Sequence, residues 1–326
     1  MTSIVSSLTT DQVASLSTAT IAGLSTEDMM AFRSDQFAVL STAQLRAISA
    51  RQLSFLSLDG IAGLTTDQVP SLSQTQVGAL TTRQMTALNT DQLISLTTRE
   101  MLVLGSGQLN ALNAGQVAAL ETDDVRALQT LALTALGSDQ VSALTSDQLG
   151  ALASAQLRAI STSAIQALGG DQLLSLSTTT LTRLTTAQVN ALTAEQLTYV
   201  TTDQIAGLST LQVAALATAS LASFNSDQIA ALETRDVLGL TGAQIVVLNP
   251  DQLAALSTDQ VRALRSQAIA ALTTDQVPLL STDQIVALGA LTALGSQQMA
   301  VLTTDQIVAL TTRTVSVLAS QQLAAL

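Results

Sequence analysis

From Leu8 to Leu288 an apolar residue returns every eight positions, and a second apolar residue follows each one five places later. Numbered from its leucine, the octad is clearest as LSTDQVRAL over 256–264 and LTTDQIVAL over 302–310. Position 1 departs from Leu only at Phe32, Ile48, Ile160, Val200 and Phe224, and position 6 is apolar in every full octad, from Val13, Ile21 and Met29 to Val315 and Leu323. One unit, 288–293, has six residues instead of eight, after which the octad resumes to Leu326, giving 40 units in all. A fixed short period with no linker predicts one continuous array over 1–326, in which each unit contacts mainly its neighbours.

The spacing chooses the local structure. Position 6 and the next position 1 are three residues apart, which puts them on one face of a helix but on opposite faces of a strand. Position 2 is Ser, Thr or Asn in 27 of the 40 units and Gly in five more, and these residues favour the helix N-cap. Gln dominates position 5, so T-x-x-Q recurs as a capping box, in which the third helical residue reaches back to the cap N–H. Pro250 follows Asn249 at the first helical position, where proline is favoured. Asp or Glu occupies position 4 in 18 units, and a carboxylate there suits the positive helix end. The predicted fold is an all-α solenoid with one very short helix per octad, and a β-solenoid of short strands is the alternative. Such helices cannot stand alone, because isolated helices need roughly 12 to 15 residues. Stacking must hold them, with positions 1 and 6 as the core and small residues at position 8 permitting close approach. Two helices per layer would make 20 layers from the 40 units and a rod on the order of 160 to 200 Å long. Pro70 and Pro278 fall at position 7, where an α-helix needs the N–H that proline lacks, so a loosened helix or a 3₁₀ turn is expected there. The short unit at 288–293, with Gly289 inside it, is expected as a tolerated deletion.

Composition narrows the chemistry. The chain has no Cys and no His, which removes disulfides, thiolate metal sites and the usual neutral-pH base. All twelve basic residues are Arg, the net charge is −12 and aromatic residues make up 2%. Neither the basic stripe nor the stacking platform of a nucleic-acid binder is present, so no nucleic-acid partner is expected. Mean hydropathy is +0.42, yet polar residues interrupt every octad, and no run approaches the roughly 20 apolar residues of a spanning helix. No membrane insertion is expected. The opening MTSIVSS lacks a basic region followed by an apolar stretch, so no cleavable signal is expected in this chain.

Several side-chain arrays invite a functional reading. Aspartates at position 4, such as Asp251, Asp259, Asp275 and Asp283, would form a file able to hold Ca²⁺ if they lined one edge. Arg51, Arg83, Arg99, Arg235 and Arg313 interrupt that file, and helix-start electrostatics account for it more simply. Threonines at position 3, such as Thr258, Thr274 and Thr282, would present an array to a glycan or a surface, although a solvated edge suffices. The neighbours Asp123 and Asp124, or Glu27 and Asp28, do not form a hydrolytic dyad, because adjacent residues diverge on a helix. Tyr199 replaces a small residue at position 8 and is expected to project at an edge. Hydroxyl nucleophiles recur without a histidine base, so no catalytic, cofactor-binding or metal site is assigned, and no enzyme is expected.

Tandem LTTDQVAAL-type units, here LSTAQLRAI over 40–48 and LTTAQVNAL over 184–192, resemble the octad arrays of large, poorly characterised bacterial surface or adhesin-like proteins. The resemblance covers essentially the whole chain and implies a secreted or surface-displayed spacer. An association of such arrays with heme is not carried over, because the chain offers no His, Cys or aromatic cage. Three function classes follow. The first is an inert, elongated structural repeat. The second is a protein-binding solenoid lined by positions 4 and 7, including Arg46, Arg126, Arg158 and Arg262, which would need those positions to gather on one patch. The third is an enzyme, for which the one irregular unit supplies no ionisable side chain. Entry at Val5 and exit at Leu326 within the repeat would leave apolar end faces, which suggests either a longer array or head-to-tail self-association.

Overall fold

In a computed structural model, which describes residues 3–326, the chain is a succession of helices of three to six residues, with no strand among the described residues. The helical expectation holds and the strand alternative does not. The chain divides into two compact units, one ending at Leu168 and the other beginning at Gly169, and the same local architecture occurs in each.

Helices pack three apart along the chain. Thr10–Ala14 lies on Ser34–Ala38, which lies on Leu58–Ala62; in the second unit Thr186–Ala191 lies on Thr210–Ala215, which lies on Thr234–Val237. Three octads, or 24 residues, therefore make one coil, so a layer holds three helices and not two. The reason lies in the linkers. Between consecutive helices only positions 1 and 2 are extended, as at Leu144 (φ −62°, ψ 134°) and Thr145 (φ −72°, ψ 162°). Two extended residues turn the chain through one corner of a triangle, whereas an antiparallel pair of helices would need a full reversal.

Positions 6 and 1 point into the coil. Leu45, Leu53 and Ile61 at position 6 are fully buried, and Leu56 and Leu64 at position 1 nearly so, each contributing about 1.5–3 kcal/mol of hydrophobic stabilisation. Position 8 is the close-approach site foreseen from its small residues. Gly63 lies against the Ser34 backbone and Gly239 against that of Thr210, each 29 residues earlier and one coil away. Tyr199 is half-exposed at such a site, and its ring lies on Gly170, where a Cβ would stand 2.7 Å from ring carbons.

The irregular octads are absorbed locally. At Pro70 and Pro278 the α-helix gives way to the 3₁₀ turns Val69–Ser71 and Val277–Leu279, as the missing N–H requires. The six-residue unit forms the 3₁₀ turn Leu291–Ala293, entered through Ala290 at φ −133°, ψ 60°. Leu288, Leu291 and Leu294 stay buried, so the deletion shortens one coil by two residues without ejecting its core.

Candidate functional site

The feature that recurs in every coil is the glutamine at position 5, and it does more than close a capping box. Gln84 shows the first half: the Thr81 N–H donates to Oε1 at 2.8 Å, while the Gln84 N–H donates to the Thr81 hydroxyl at 3.3 Å. Its amide nitrogen then donates to the Leu53 and Leu56 carbonyls, both at 2.9 Å, which belong to a corner one coil away. The same offsets of 31 and 28 residues recur at Gln76, Gln92 and Gln148 in the first unit and at Gln204, Gln244 and Gln284 in the second. Each glutamine thus ties the start of its own helix to the end of a helix in the previous coil. The position 1 carbonyl is otherwise an orphan of the helix C-terminus, and a buried orphan costs about 1–3 kcal/mol. These glutamines are themselves buried, Gln92 to 1% exposure and Gln252 to 1%.

Across the deletion the clamp survives with shortened reach. Gln298 donates to Leu272 O over 26 residues, and Gln306 to Val277 O and Leu280 O over 29 and 26.

Carboxylates take the clamp position at four octads. Asp28 accepts from Ser3 Oγ at 2.8 Å and from the Ile4 N–H at 2.9 Å, besides Ser25. Burial alone would raise its pKa, but these hydrogen bonds outweigh it and hold the carboxyl below its usual value. Glu100 accepts from the Thr97 N–H at 2.9 Å and also from the Thr97 hydroxyl. Asp124 is buried beside Glu121 and Asp123 and is pushed up to about 6. Asp236, 1% exposed, accepts from Thr210 Oγ1 at 2.9 Å through Oδ1, while its Oδ2 has no hydrogen-bond donor and only Arg235 Nε at 3.6 Å. A buried acceptor without a donor is costly. Asp236→Gln is therefore expected to stabilise the second unit by about 1–2 kcal/mol, by supplying an amide that donates instead. Denaturant titration measures this, and an unchanged midpoint would contradict the clamp account.

The arrays singled out in the sequence are dispersed by the threefold coil. Asp251 and Asp275 share one face, while Asp259 and Asp283 share another. Consecutive carboxylates on a face stand a full coil apart, roughly 8–10 Å by helix packing, too far to share one Ca²⁺. Among the described residues no group of three or more acidic side chains is placed to hold a metal ion. Thr258 and Thr282 likewise share a face that Thr274 does not. In the first unit Arg46, Arg126 and Arg158 fall on three different faces. Arg126 pairs with the exposed Asp123 at 3.0 Å, and in the second unit Arg262 pairs with Asp259 at 2.5 Å. The adjacent acids diverge as expected, since Asp28 and Asp124 are buried whereas Glu27 and Asp123 are exposed.

Among the described residues no helix is long and apolar enough to cross a membrane. The ALTTAQ repeat family model matches residues 5–42, 29–66, 37–74, 117–154, 229–266 and 259–290, together just over half of the chain. No curated protein matches the sequence.

Proposed function

Because the chain belongs to the ALTTAQ repeat family, we propose that it is a non-catalytic structural repeat, an elongated spacer or stalk in a bacterial surface or adhesin-like protein, outside the cell or on its surface. The observation that carries this reading is the uniformity of the clamp. The same amide joins the same two corners in coil after coil, whichever residues occupy the exposed positions 4 and 7. Such a bond transmits load between coils and asks nothing of any single octad. The resemblance of the octads to those of surface arrays supports the location. Dispersal of Arg46, Arg126 and Arg158 weighs against a single protein-binding groove built from them.

A second reading, end-on stacking of copies, is favoured by the polarity of the clamp. The position 5 amides of Gln76, Gln148, Gln244 and Gln284 all donate toward the N-terminal side, to carbonyls that face the C-terminal side. A head-to-tail contact between copies would continue that polarity. Small-angle X-ray scattering over a concentration series tests both. A concentration-independent, elongated profile supports the spacer, and growth with concentration supports stacking. A compact monomer would sink both.

A further inference from the structure

The octad that begins at Leu120 departs from the array in two ways at once. Its cap residue, Glu121, makes no side-chain cap, and its clamp position holds Asp124, 4% exposed. One octad later Gln129 also leaves its helix uncapped, and the clamp position is Ala132. Nearby corners are closed normally: Gln116 donates to Leu88 O at 2.7 Å, and Gln148 to Leu120 O at 2.6 Å. By the same register Asp124 stands over the corner at Leu93 and Leu96. No donor among the described residues reaches the Leu96 carbonyl.

The charges around this corner are mostly of one sign. The helices packed on Thr122–Ala127 are Thr98–Met101 and Ser146–Ala151, which bring Arg99 and the buried Glu100 from one side and Asp147 from the other. On its own helix Asp124 has Glu121 and Asp123 beside it, and Arg126 is engaged with Asp123 at 3.0 Å. An ionised Asp124 therefore sets a buried acceptor over a corner that elsewhere receives a donor, which is unfavourable.

We propose that this corner is a proton-operated latch: the neutral carboxyl of Asp124 closes it by supplying the donor that glutamine supplies elsewhere, and the carboxylate opens it. Burial, with the charges of Glu121 and Asp123, pushes Asp124 from 3.8 up to about 6, against the pull of the Glu121 N–H. A carboxyl whose folded pKa is raised binds its proton more tightly in the folded state. Its stabilising effect is complete below about 4 and is lost as pH rises through about 6. The array thus contains one segment, 120–136, that loosens near neutral pH while the glutamine-clamped coils around it do not.

Native-state hydrogen exchange on the full chain tests this, with rates normalised to intrinsic exchange at each pH. Protection of peptides within 120–136 is expected to fall by about tenfold between pH 5 and pH 7.5. Peptides within 41–56, where Gln44 and Gln52 donate to Leu16 O and Leu24 O, away from this segment, are expected to hold constant. Asp124→Asn keeps a donor at every pH, and Asp124→Gln installs the array's own residue, so both should abolish the fall. A wild-type segment with no pH dependence overturns the latch, and so does the same fall in either variant.

Discussion

Gln92→Glu is expected to loosen its corner at pH 7 by about 3 kcal/mol, nearly as much as or more than Gln92→Ala, although glutamate is the same size and keeps the capping half of the bonds. In the native corner Oε1 accepts from the Asn89 N–H at 2.8 Å, and Nε2 donates to the carbonyls of Ile61 at 3.1 Å, Ala62 at 3.2 Å and Leu64 at 2.6 Å. Glutamate would leave the first bond intact. Its second oxygen would face three carbonyls with no proton to offer, in a site where Gln92 is 1% exposed. Alanine would lose both halves and leave a small cavity, but it would bury no charge. Acid separates the two variants. A neutral glutamic acid can donate, so Gln92→Glu should regain stability as pH falls toward 4, whereas Gln92→Ala should not. Equilibrium denaturation, with hydrogen exchange at 60–64 and 89–95, measures the loss. A Gln92→Glu protein as stable as wild type at pH 7 would mean that the capping box alone explains the glutamine.

That contrast also marks how far the sequence was readable. The three-residue step from position 6 to position 1 was enough to choose helix, and the Thr, Ser and Asn caps formed where expected, as at Thr81 and Asn89. In the sequence the glutamine shows only as the far end of a capping box. Glutamate closes such a box equally well, so the prevalence of Gln over Glu at position 5 already asked for a donor at the second terminal atom. The request is plainest at Gly105, Gly137 and Ala153. No cap side chain exists there for Gln108, Gln140 and Gln156 to reciprocate, and all three still donate across to the previous coil. The number of octads per coil was not legible, because an eight-residue period is compatible with any number of corners. It is set by the turn of two extended residues, and its trace in sequence is faint: small residues 29 positions apart, such as Gly63 with Ser34. The acids at the clamp position were hidden for a related reason. Asp124 and Asp236 look like helix-start charges until the coil buries both, Asp236 against the Thr210 hydroxyl.

Gly63→Ala is expected to cost about 1–3 kcal/mol, the usual range for overpacking a tight contact. The glycine has φ −77°, an ordinary helical value, so its role is proximity and not conformational freedom. An added Cβ would stand 2.2 Å from the carbonyl oxygen of Ser34 and 2.5 Å from its Cα. Those are backbone atoms, so only separation of the two coils relieves the clash, and Ser34→Gly should restore nothing. Gly170→Ala meets a different obstacle, the Tyr199 ring at 2.7 Å. That neighbour is a half-exposed side chain, so adding Tyr199→Ala should recover most of the loss, with a coupling of about 1 kcal/mol or more in a double-mutant cycle. Gly150 provides the opposite sign. It lies in Ser146–Ala151 with no atom within 4 Å of the new Cβ, so Gly150→Ala should gain about 0.5–1 kcal/mol from helix propensity alone. Thermal and denaturant unfolding of these variants measures all of the differences. Equal gains at Gly63 and Gly150 would place the effect in helix propensity and dissolve the account of coil-to-coil contact at position 8. A loss confined to Gly63, and unmoved by Ser34→Gly, would fix the spacing of the coils as the quantity that backbone contact controls.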